Sequence, residues 1–448
     1  MGKEKPILYA TGSVPKLLAH TCIPAVITTL VVTFYHISDI FFIGQTGDAM
    51  QVAAITLSGP VFSVLSGLGT LIGSGGCAAI AMALGKKNSP RVKSLSSFCC
   101  YAAITAGLLF TLCVNIGMSG ILRILNVTPD TEAYTREYLM IVSVGSPFLL
   151  FSSIFANIVR GEGAIKESLL GNGIGSMVNI ILDPVLILTL GMGIAGAAIA
   201  TIIGNMVSAL YLVLYITGKK SQLSLNIKYF SLRKNIAWQT ILLGLPVAFG
   251  IWIMSVHGTV INHVIGRYGD IAIAAYGVSG KTGMLIAMVQ MGICMGIQPA
   301  LAYNFGAGNI FRLKKIVRAA ALVTVCTGTV LSLVSWFLRR EILSAFIQNP
   351  QVIQYGMIFI VAGIITGPFL GFCYLSTGVL QAVEKIKLAT VNALLRQGIL
   401  SIPILLLLSS WVGLTGIVIA GVIVDTAAAL AGAIISNTQL RKLHRPER

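Results

Sequence analysis

Long apolar runs separated by short polar connections dominate the chain from residue 14 onward. A helix needs about 20 apolar residues to cross the hydrocarbon core of a bilayer. Twelve runs approach or exceed that length, and we predict spans near 14–41, 52–84, 94–121, 134–159, 168–190, 193–217, 238–265, 271–304, 315–338, 354–380, 387–409 and 412–436. The connections between them are too short for a soluble domain. The pattern therefore predicts an all-α membrane protein of twelve transmembrane helices, surrounded by lipid.

The second half of this pattern repeats the first. Pro24 precedes Pro246 by 222 positions, and SPFLLF (146–151) faces GPFLGF (367–372) at nearly the same offset. Because each half has an even number of spans, both halves enter the membrane from the same side, which predicts a parallel pseudo-two-fold repeat. We expect a six-helix N-lobe, a basic linker and a six-helix C-lobe, with bounds 1–217, 218–237 and 238–448.

Composition supports this class. The chain is 56% hydrophobic and 10% charged, with a mean hydropathy of +0.90, values typical of an integral membrane protein. The net charge of +17 is spread over short connections rather than one stripe, so we expect no nucleic-acid partner. Positive residues favour the cytoplasmic side, which predicts cytoplasmic termini. Five positive residues fall on the predicted outer side: Arg123, Arg136, Arg267, Arg339 and Arg340.

Polar residues inside an apolar run mark the candidate site. Asn179 and Asp183 are four positions apart, so both lie on one helix face. A carboxylate in the membrane is costly unless it faces a wet cavity, a partner or an ion. Asp39 in the first run and Thr201 in the sixth are possible companions. We expect these four side chains to converge on one cation.

Structural alternatives remain open for each of the four. Asp183 precedes Pro184 and could satisfy backbone groups at a proline kink. Asp39 could reach water near the outer interface. Asn179 and Thr201 could serve only as hydrogen bonds between helices.

Three segments together resemble a known family, the multidrug and toxic compound extrusion (MATE) transporters, in its bacterial branch. They are SDIFFIGQTGDAMQVAAITL (38–57), MVNIILDPVLI (177–187) followed by GMGIAGAAIAT (191–201), and NFGAGNIFRLKK (304–315). The resemblance implies a multi-pass protein of the bacterial cytoplasmic membrane that exports drug-like organic compounds, usually cations, by alternating access. It implies antiport driven by Na⁺ or H⁺, and it places the coupling site at Asp39, Asn179, Asp183 and Thr201.

The chemistry of these four residues suits either ion. Hard cations prefer oxygen ligands, which two carboxylates, an amide carbonyl and a hydroxyl supply. Two neighbouring carboxylates repel each other, and either a shared proton or Na⁺ relieves that repulsion. We therefore expect no cofactor other than the coupling ion, and a monomer as the working form.

The second half does not repeat this set, because Ile261 stands opposite Asp39 and no threonine matches Thr201. It carries other polar residues within spans. Lys281 and Arg396 could contact the cargo, or one of them could form a salt bridge with Asp425. We expect the substrate cavity to include Tyr35, His36, His257, Lys281, Met284, Met288 and Arg396.

Two other functions compete with drug export. The chain could be a flippase for lipid-linked oligosaccharides, or it could export an endogenous anionic or zwitterionic metabolite. An intramembrane transferase would need a surface acidic motif such as DxxD, and ATP hydrolysis would need GxxxxGK[ST]. The sequence contains neither motif, so we predict a transporter that is not an enzyme.

Overall fold

The computed structural model describes residues 7–347 and 349–443. Twelve of its helices are long and apolar enough to cross a membrane, which confirms the predicted class within these residues. The basic residues Lys3, Lys5, Arg445 and Arg448, which contribute to the predicted cytoplasmic charge, lie outside the described residues.

We number the spanning helices in chain order. The first half contains α1 (Val14–Gly44), α2 (Ala49–Gly85), α3 (Ser89–Ile124), α4 (Pro129–Gly161), α5 (Ile165–Thr189) and α6 (Gly193–Thr217). The second half contains α7 (Ala237–Gly266), α8 (Asp270–Gly306), α9 (Ile310–Phe337), α10 (Pro350–Ala382), α11 (Ile386–Val412) and α12 (Leu414–Lys442). Short helices cover Ile7–Ala10 and Arg339–Phe346.

Most helices extend a few residues beyond the predicted spans, because polar caps begin them outside the apolar run. The Asn88 side chain accepts a hydrogen bond from the Arg91 backbone N–H at 3.1 Å and begins α3. In the second half, the Asn309 side chain accepts a hydrogen bond from the Arg312 backbone N–H at 3.1 Å and begins α9. Such caps satisfy N–H groups that have no partner inside the helix. The two caps occupy matching positions of the halves, so the repeat extends to local structure.

A pair of matching turns also requires glycine. Gly47, before α2, has φ +76°, and Gly269, before α8, has φ +89°. A residue with a Cβ adopts these angles only with strain, whereas glycine does not. The same turn chemistry therefore begins the second helix of each half.

The chain forms two compact units, each built from separate stretches. Unit 1 comprises Met1–Thr11 and Ile27–Ala248, and unit 2 comprises Gly12–Val26 and Phe249–Arg448. The first part of α1 therefore belongs to unit 2, and the first part of α7 belongs to unit 1. We call these two first parts, 14–26 of α1 and 237–248 of α7, the exchanged stretches. They contain Pro24 and Pro246, each inside its helix.

Glycines let the exchanged stretches pack closely within their units. In unit 1, a Cβ on Gly244 of α7 would overlap the carbonyl oxygen of Leu71 in α2. In the same crossing, a Cβ on Gly75 of α2 would overlap the carbonyl oxygen of Thr240 in α7. In unit 2, a Cβ on Gly296 of α8 would lie 2.6 Å from the Thr21 carbonyl oxygen. Small residues at such crossings allow helix backbones to approach each other.

The linker between α6 and α7 packs along the surface of unit 1. The Ser96 hydroxyl donates to the Ser224 carbonyl at 3.1 Å and accepts from the Ser224 N–H at 2.9 Å. The Tyr101 hydroxyl donates to the Leu225 carbonyl at 3.2 Å, and its ring contacts Phe230 edge-on. The basic linker is therefore an ordered strap, although its composition alone indicates only a polar connection.

Candidate functional site

The site begins where α5 changes its helical form. Regular α-helix ends at Asp183, and Pro184–Thr189 forms a π-helical turn. Because proline has no N–H, it cannot make the usual backbone bond to the preceding turn. The Leu190 N–H instead donates to the Val185 carbonyl, five residues back, at 2.9 Å. Single π-helical turns inside α-helices often occur at functional sites, and this one directly follows the candidate carboxylate.

The structure brings all four predicted side chains together in unit 1. The Asn179 amide nitrogen donates to Asp183 Oδ1 and to Thr201 Oγ1, both at 3.4 Å. Asp39, from the second part of α1, interacts with Asp183, Asn179 and Thr201. Three helices therefore contribute to one polar cluster.

This cluster is buried. The exposed fractions are 7% for Asp39, 2% for Asn179, 0% for Asp183 and 3% for Thr201. None of the four therefore occupies an exposed surface position.

Three oxygen atoms of the cluster lack hydrogen-bond partners among the described residues. They are Asp39 Oδ1, Asn179 Oδ1 and Asp183 Oδ2. Buried polar atoms are nearly always partnered in native structures, so an unpartnered group calls for an explanation such as an ion or a water. Two carboxylates and an amide oxygen are all acceptors, which suits a cation or a proton shared among them.

Neighbouring residues hold Thr201 in place. The Asn205 amide nitrogen donates to the Thr201 carbonyl at 2.8 Å, and the Asn205 amide oxygen accepts from the Ser152 hydroxyl at 2.6 Å. Ser152 lies on α4, so this network ties the α6 part of the cluster to a fourth helix.

Two tyrosines lie near the acid pair. Tyr35, one turn before Asp39, is close to both Asp39 and Asp183, and so is Tyr138 of α4. Tyr138 was not predicted from the sequence, where it is one tyrosine in a long apolar run. His36 packs between Tyr35 and Phe62, with ring centroids 4.0 and 5.7 Å away.

The remaining predicted cavity residues belong to unit 2, where only some of them meet. Arg396 Nε donates to Asp425 Oδ1 at 2.8 Å, so of the two pairings left open, the structure forms this one. His257 lines the same cavity as Arg396. The other three predicted residues, Lys281, Met284 and Met288, lie on α8 and are not among the residues lining that cavity.

The side chains of the cluster differ from the ligand set of a transition-metal site. Across residues 7–347 and 349–443, no three His, Cys, Asp or Glu side chains group as metal ligands. The mixed acid, amide and hydroxyl set instead matches the oxygen ligands of a hard cation.

Twelve helices long and apolar enough to span a membrane, in two repeated halves with a buried acid cluster in one unit, are typical of a membrane transporter. The MatE family model matches residues 24–185 and 246–407, one stretch in each half. The chain therefore belongs to the MatE family, which confirms the predicted resemblance to the multidrug and toxic compound extrusion transporters. It is a transporter, not an enzyme, and it handles a small-molecule substrate.

Similar proteins agree with this assignment. The multidrug export protein MepA of Staphylococcus saprophyticus is 31% identical over 435 residues, covering 97% of this chain and 96% of that protein. MepA of Staphylococcus aureus strain MRSA252 is 32% identical over 436 residues, with the same coverage.

Solved structures share the fold. An outward-facing multidrug resistance MATE family transporter superposes with a TM-score of 0.93, at 20% identity and 99% coverage of both chains. The second structure is a transporter of the MOP superfamily from Pyrococcus furiosus, described as having a binding pocket of reversed polarity. It superposes with a TM-score of 0.93, at 20% identity and 100% coverage of both chains. At this identity the likeness extends to the fold alone.

Proposed function

We propose that the chain is an antiporter that exports drug-like organic compounds across the bacterial cytoplasmic membrane, driven by inward flow of Na⁺ or H⁺. Relatives that are about a third identical over nearly the whole chain are multidrug export proteins, which supports the cargo class. The buried acid cluster supports ion coupling. Export by alternating access, with both termini cytoplasmic and a monomer as the working unit, completes the proposal.

The observation that carries the coupling step is the set of three unpartnered oxygens at Asp39, Asn179 and Asp183. Two of them belong to carboxylates on different helices, so the pair repels when both are charged and neither is compensated. A bound cation or proton removes that repulsion and holds α1 against α5. Release of the ion restores the repulsion and favours an arrangement in which the two helices separate.

This difference between the loaded and empty site is the source of coupling. A ligand shifts a conformational equilibrium only by its difference in affinity for the two states. The π-helical turn after Asp183 and the proline inside α1 are the places where the backbones of the two helices most readily bend. Asn179 and Thr201 orient the site and supply further oxygen atoms.

We propose an organic cation as the usual cargo, contacted by Tyr35 and His36 near the acids. The predicted cargo residues of unit 2 are His257, Lys281, Met284, Met288 and Arg396. Export of an anionic metabolite would favour an uncompensated positive charge at Arg396. Asp425 neutralises that charge at 2.8 Å, which disfavours anionic cargo.

Transport by purified protein in vesicles tests the proposal. A sodium gradient and a proton gradient are imposed separately, and efflux of a fluorescent cation and a fluorescent anion is followed. We expect one gradient to drive the cation, and we expect Asp39→Asn and Asp183→Asn to abolish that efflux.

The matched control is Asp130→Asn, which removes an exposed carboxylate at the start of α4. It should transport like the natural protein. Gradient-driven efflux at normal rates by both Asp39→Asn and Asp183→Asn would refute coupling through this cluster.

A further inference from the structure

Unit 2 contains a cavity of about 250 Å³ among α7, α8, α10, α11 and α12. Its walls include Ile261 and Gly421, which occupy the repeat positions of Asp39 and Thr201. The cavity therefore occupies, in unit 2, the place that the acid cluster occupies in unit 1. An apolar cavity of about 150 Å³ admits benzene, so this one has room for a substituted single ring.

The charged groups in the cavity wall form one ion pair. Arg396 donates through Nε to Asp425 Oδ1 at 2.8 Å and through Nη1 to the Tyr374 hydroxyl at 3.1 Å. Within the described residues, Arg396 Nη2 donates no hydrogen bond and Asp425 Oδ2 accepts none. Both residues line the cavity, with side-chain exposures of 17% and 19%. Each member of the pair thus keeps one group, a donor on Arg396 and an acceptor on Asp425, without a hydrogen-bond partner among the described residues.

The backbone form of α11 helps to present this wall. Arg396 and Gln397 lie in a π-helical turn, Leu395–Ile399, and both line the cavity. In unit 1 the corresponding helix has its π-helical turn later, after Asp183. The π-helical turn therefore contains the charged residue Arg396 in unit 2, whereas in unit 1 it directly follows Asp183.

The pair selects against charged ligands. A cation that took Asp425, or an anion that took Arg396, would leave the other member partly buried without its counter-charge, which is costly. An uncharged group with adjacent donor and acceptor atoms can bond to both free edges without breaking the pair.

The rest of the cavity suits an aromatic ring. Tyr276 and Phe359 line one side and pack edge-to-face, with ring centroids 5.5 Å apart. His257 and Ser401, joined by a 2.7 Å hydrogen bond, line another part of the wall. Aromatic side chains stack or pack edge-on against a bound ring.

From these contacts we infer that the unit 2 cavity is a binding site for a compact, uncharged aromatic compound that bears an amide-like edge. The edge bridges Arg396 and Asp425, and the ring packs against Tyr276 and Phe359. The inference concerns binding alone, so it stands or falls independently of ion-coupled export.

Three compounds of nearly the same shape but different charge test this site: benzamide (neutral), benzamidine (cation) and benzoate (anion). Binding to the purified protein in detergent is measured by saturation-transfer NMR. We expect saturable binding of benzamide and at least fivefold weaker binding of the other two. A wild-type preference for benzamidine or benzoate would overturn the inference.

A substitution that fills the cavity provides the second test of the binding site. A Cβ on Gly280 meets no atom within 4 Å, so Gly280→Leu can extend into the cavity that Gly280 lines. We expect it to weaken benzamide binding at least tenfold. Gly277→Leu is the matched control on α8, because Gly277 is equally unobstructed but does not line the cavity. It should leave binding within twofold of wild type.

Gly421→Leu repeats the filling test from α12, where an added Cβ would make an ordinary 3.8 Å contact with Ala362. Monodispersity on size exclusion identifies the folded variants. Equal benzamide signals from wild type and from a folded cavity-filled variant would show partition into detergent and overturn the inference.

The final arm removes one charge at a time. Asp425→Asn leaves Arg396 uncompensated and should make benzoate the best ligand of the three. Arg396→Gln leaves Asp425 uncompensated and should favour benzamidine. An unchanged ranking in both variants would mean that the ion pair does not contact the ligand.

Discussion

At the scale of single residues, the amide of Asn179 connects the acid cluster. Its nitrogen donates to Asp183 and to Thr201, while its oxygen remains available together with one oxygen of each carboxylate. Its donor group therefore holds the site together, and in the proposed coupling step its acceptor group binds the ion. The same division explains why an amide, rather than a third acid, suits this position.

Thr201 provides a sharp test of this arrangement. Thr201→Val keeps the shape of the side chain but removes the hydroxyl that accepts from Asn179 and that we propose as an oxygen ligand of the ion. A net hydrogen bond contributes about 1 kcal/mol, so we expect the half-saturating Na⁺ or H⁺ concentration for efflux to rise about five- to tenfold. Efflux measured across a series of ion concentrations gives this value.

Thr201→Ser retains the hydroxyl and should stay close to wild type. If valine and serine give the same half-saturating concentration, the hydroxyl has no part in ion binding.

The proximity of Asn179 and Asp183 could be predicted from the sequence for a physical reason. Asn179 and Asp183 are unusual in an apolar run, and their spacing alone places them on one face. Tyr138 could not be found in this way, because a tyrosine in a membrane span is common and only the packing of α4 brings it near the acids.

At the scale of helices, the crossing of α2 and α7 in unit 1 depends on glycine. We predict that Gly244→Ala prevents normal packing, because its Cβ would overlap the backbone of Leu71, which cannot move away as a flexible side chain can. Overpacking typically costs about 1–3 kcal/mol. The expected result is a lower unfolding temperature in detergent.

Gly258→Ala provides the control on the same helix, since a Cβ there meets nothing within 4 Å. It should unfold at the wild-type temperature or slightly above it. Equal unfolding temperatures for the two variants would contradict the close crossing.

The linker strap is also held by a buried acid. Glu162, 4% exposed, accepts hydrogen bonds from the Ser221 hydroxyl at 2.9 Å and from the Gln222 N–H. We predict that Glu162→Ala releases this end of the strap and raises the rate of trypsin cleavage at Lys219 and Lys220 about tenfold, since a loss of about 1.4 kcal/mol changes an opening equilibrium by that factor.

Fragment analysis by mass spectrometry locates the cleavage. Glu132→Ala, which removes an exposed carboxylate paired with Arg136, is the control and should leave the rate unchanged. Unaltered cleavage of Glu162→Ala would show that the other strap contacts suffice.

Helix ends and helix form were the least predictable elements. The length of an apolar run predicts only the part of a helix that lies inside the hydrocarbon. The helix α12 continues to Lys442, beyond the predicted end at 436, and its last turn contains charged residues that lie outside that region. Pro184 indicated a break after Asp183. No proline precedes Arg396 in α11, so the second π-helical turn, Leu395–Ile399, could not be predicted in the same way.

At the scale of the whole molecule, the repeat was visible in the sequence but the composition of the units was not. Matching prolines and turns recur because each half must solve the same packing problem. That Gly12–Val26 groups with unit 2 depends on contacts between residues far apart in sequence, such as Thr21 with Gly296. Periodicity and spacing carry no information on such contacts. The cavity beside Arg396 was likewise invisible, since it depends on what five helices leave unfilled.

Orientation in the membrane is the property on which the direction of export depends. The excess of positive residues on one set of connections predicts that the linker faces the cytoplasm and that Arg267, between α7 and α8, faces outward. We therefore expect trypsin to cut at Lys219 or Lys220 only in inside-out vesicles, and at Arg267 only in right-side-out spheroplasts. Glu162→Ala, which loosens the strap, should strengthen only the inside-out cut. Cleavage of the linker from the outer face would invert the topology, and with it the side from which the coupling ion must enter.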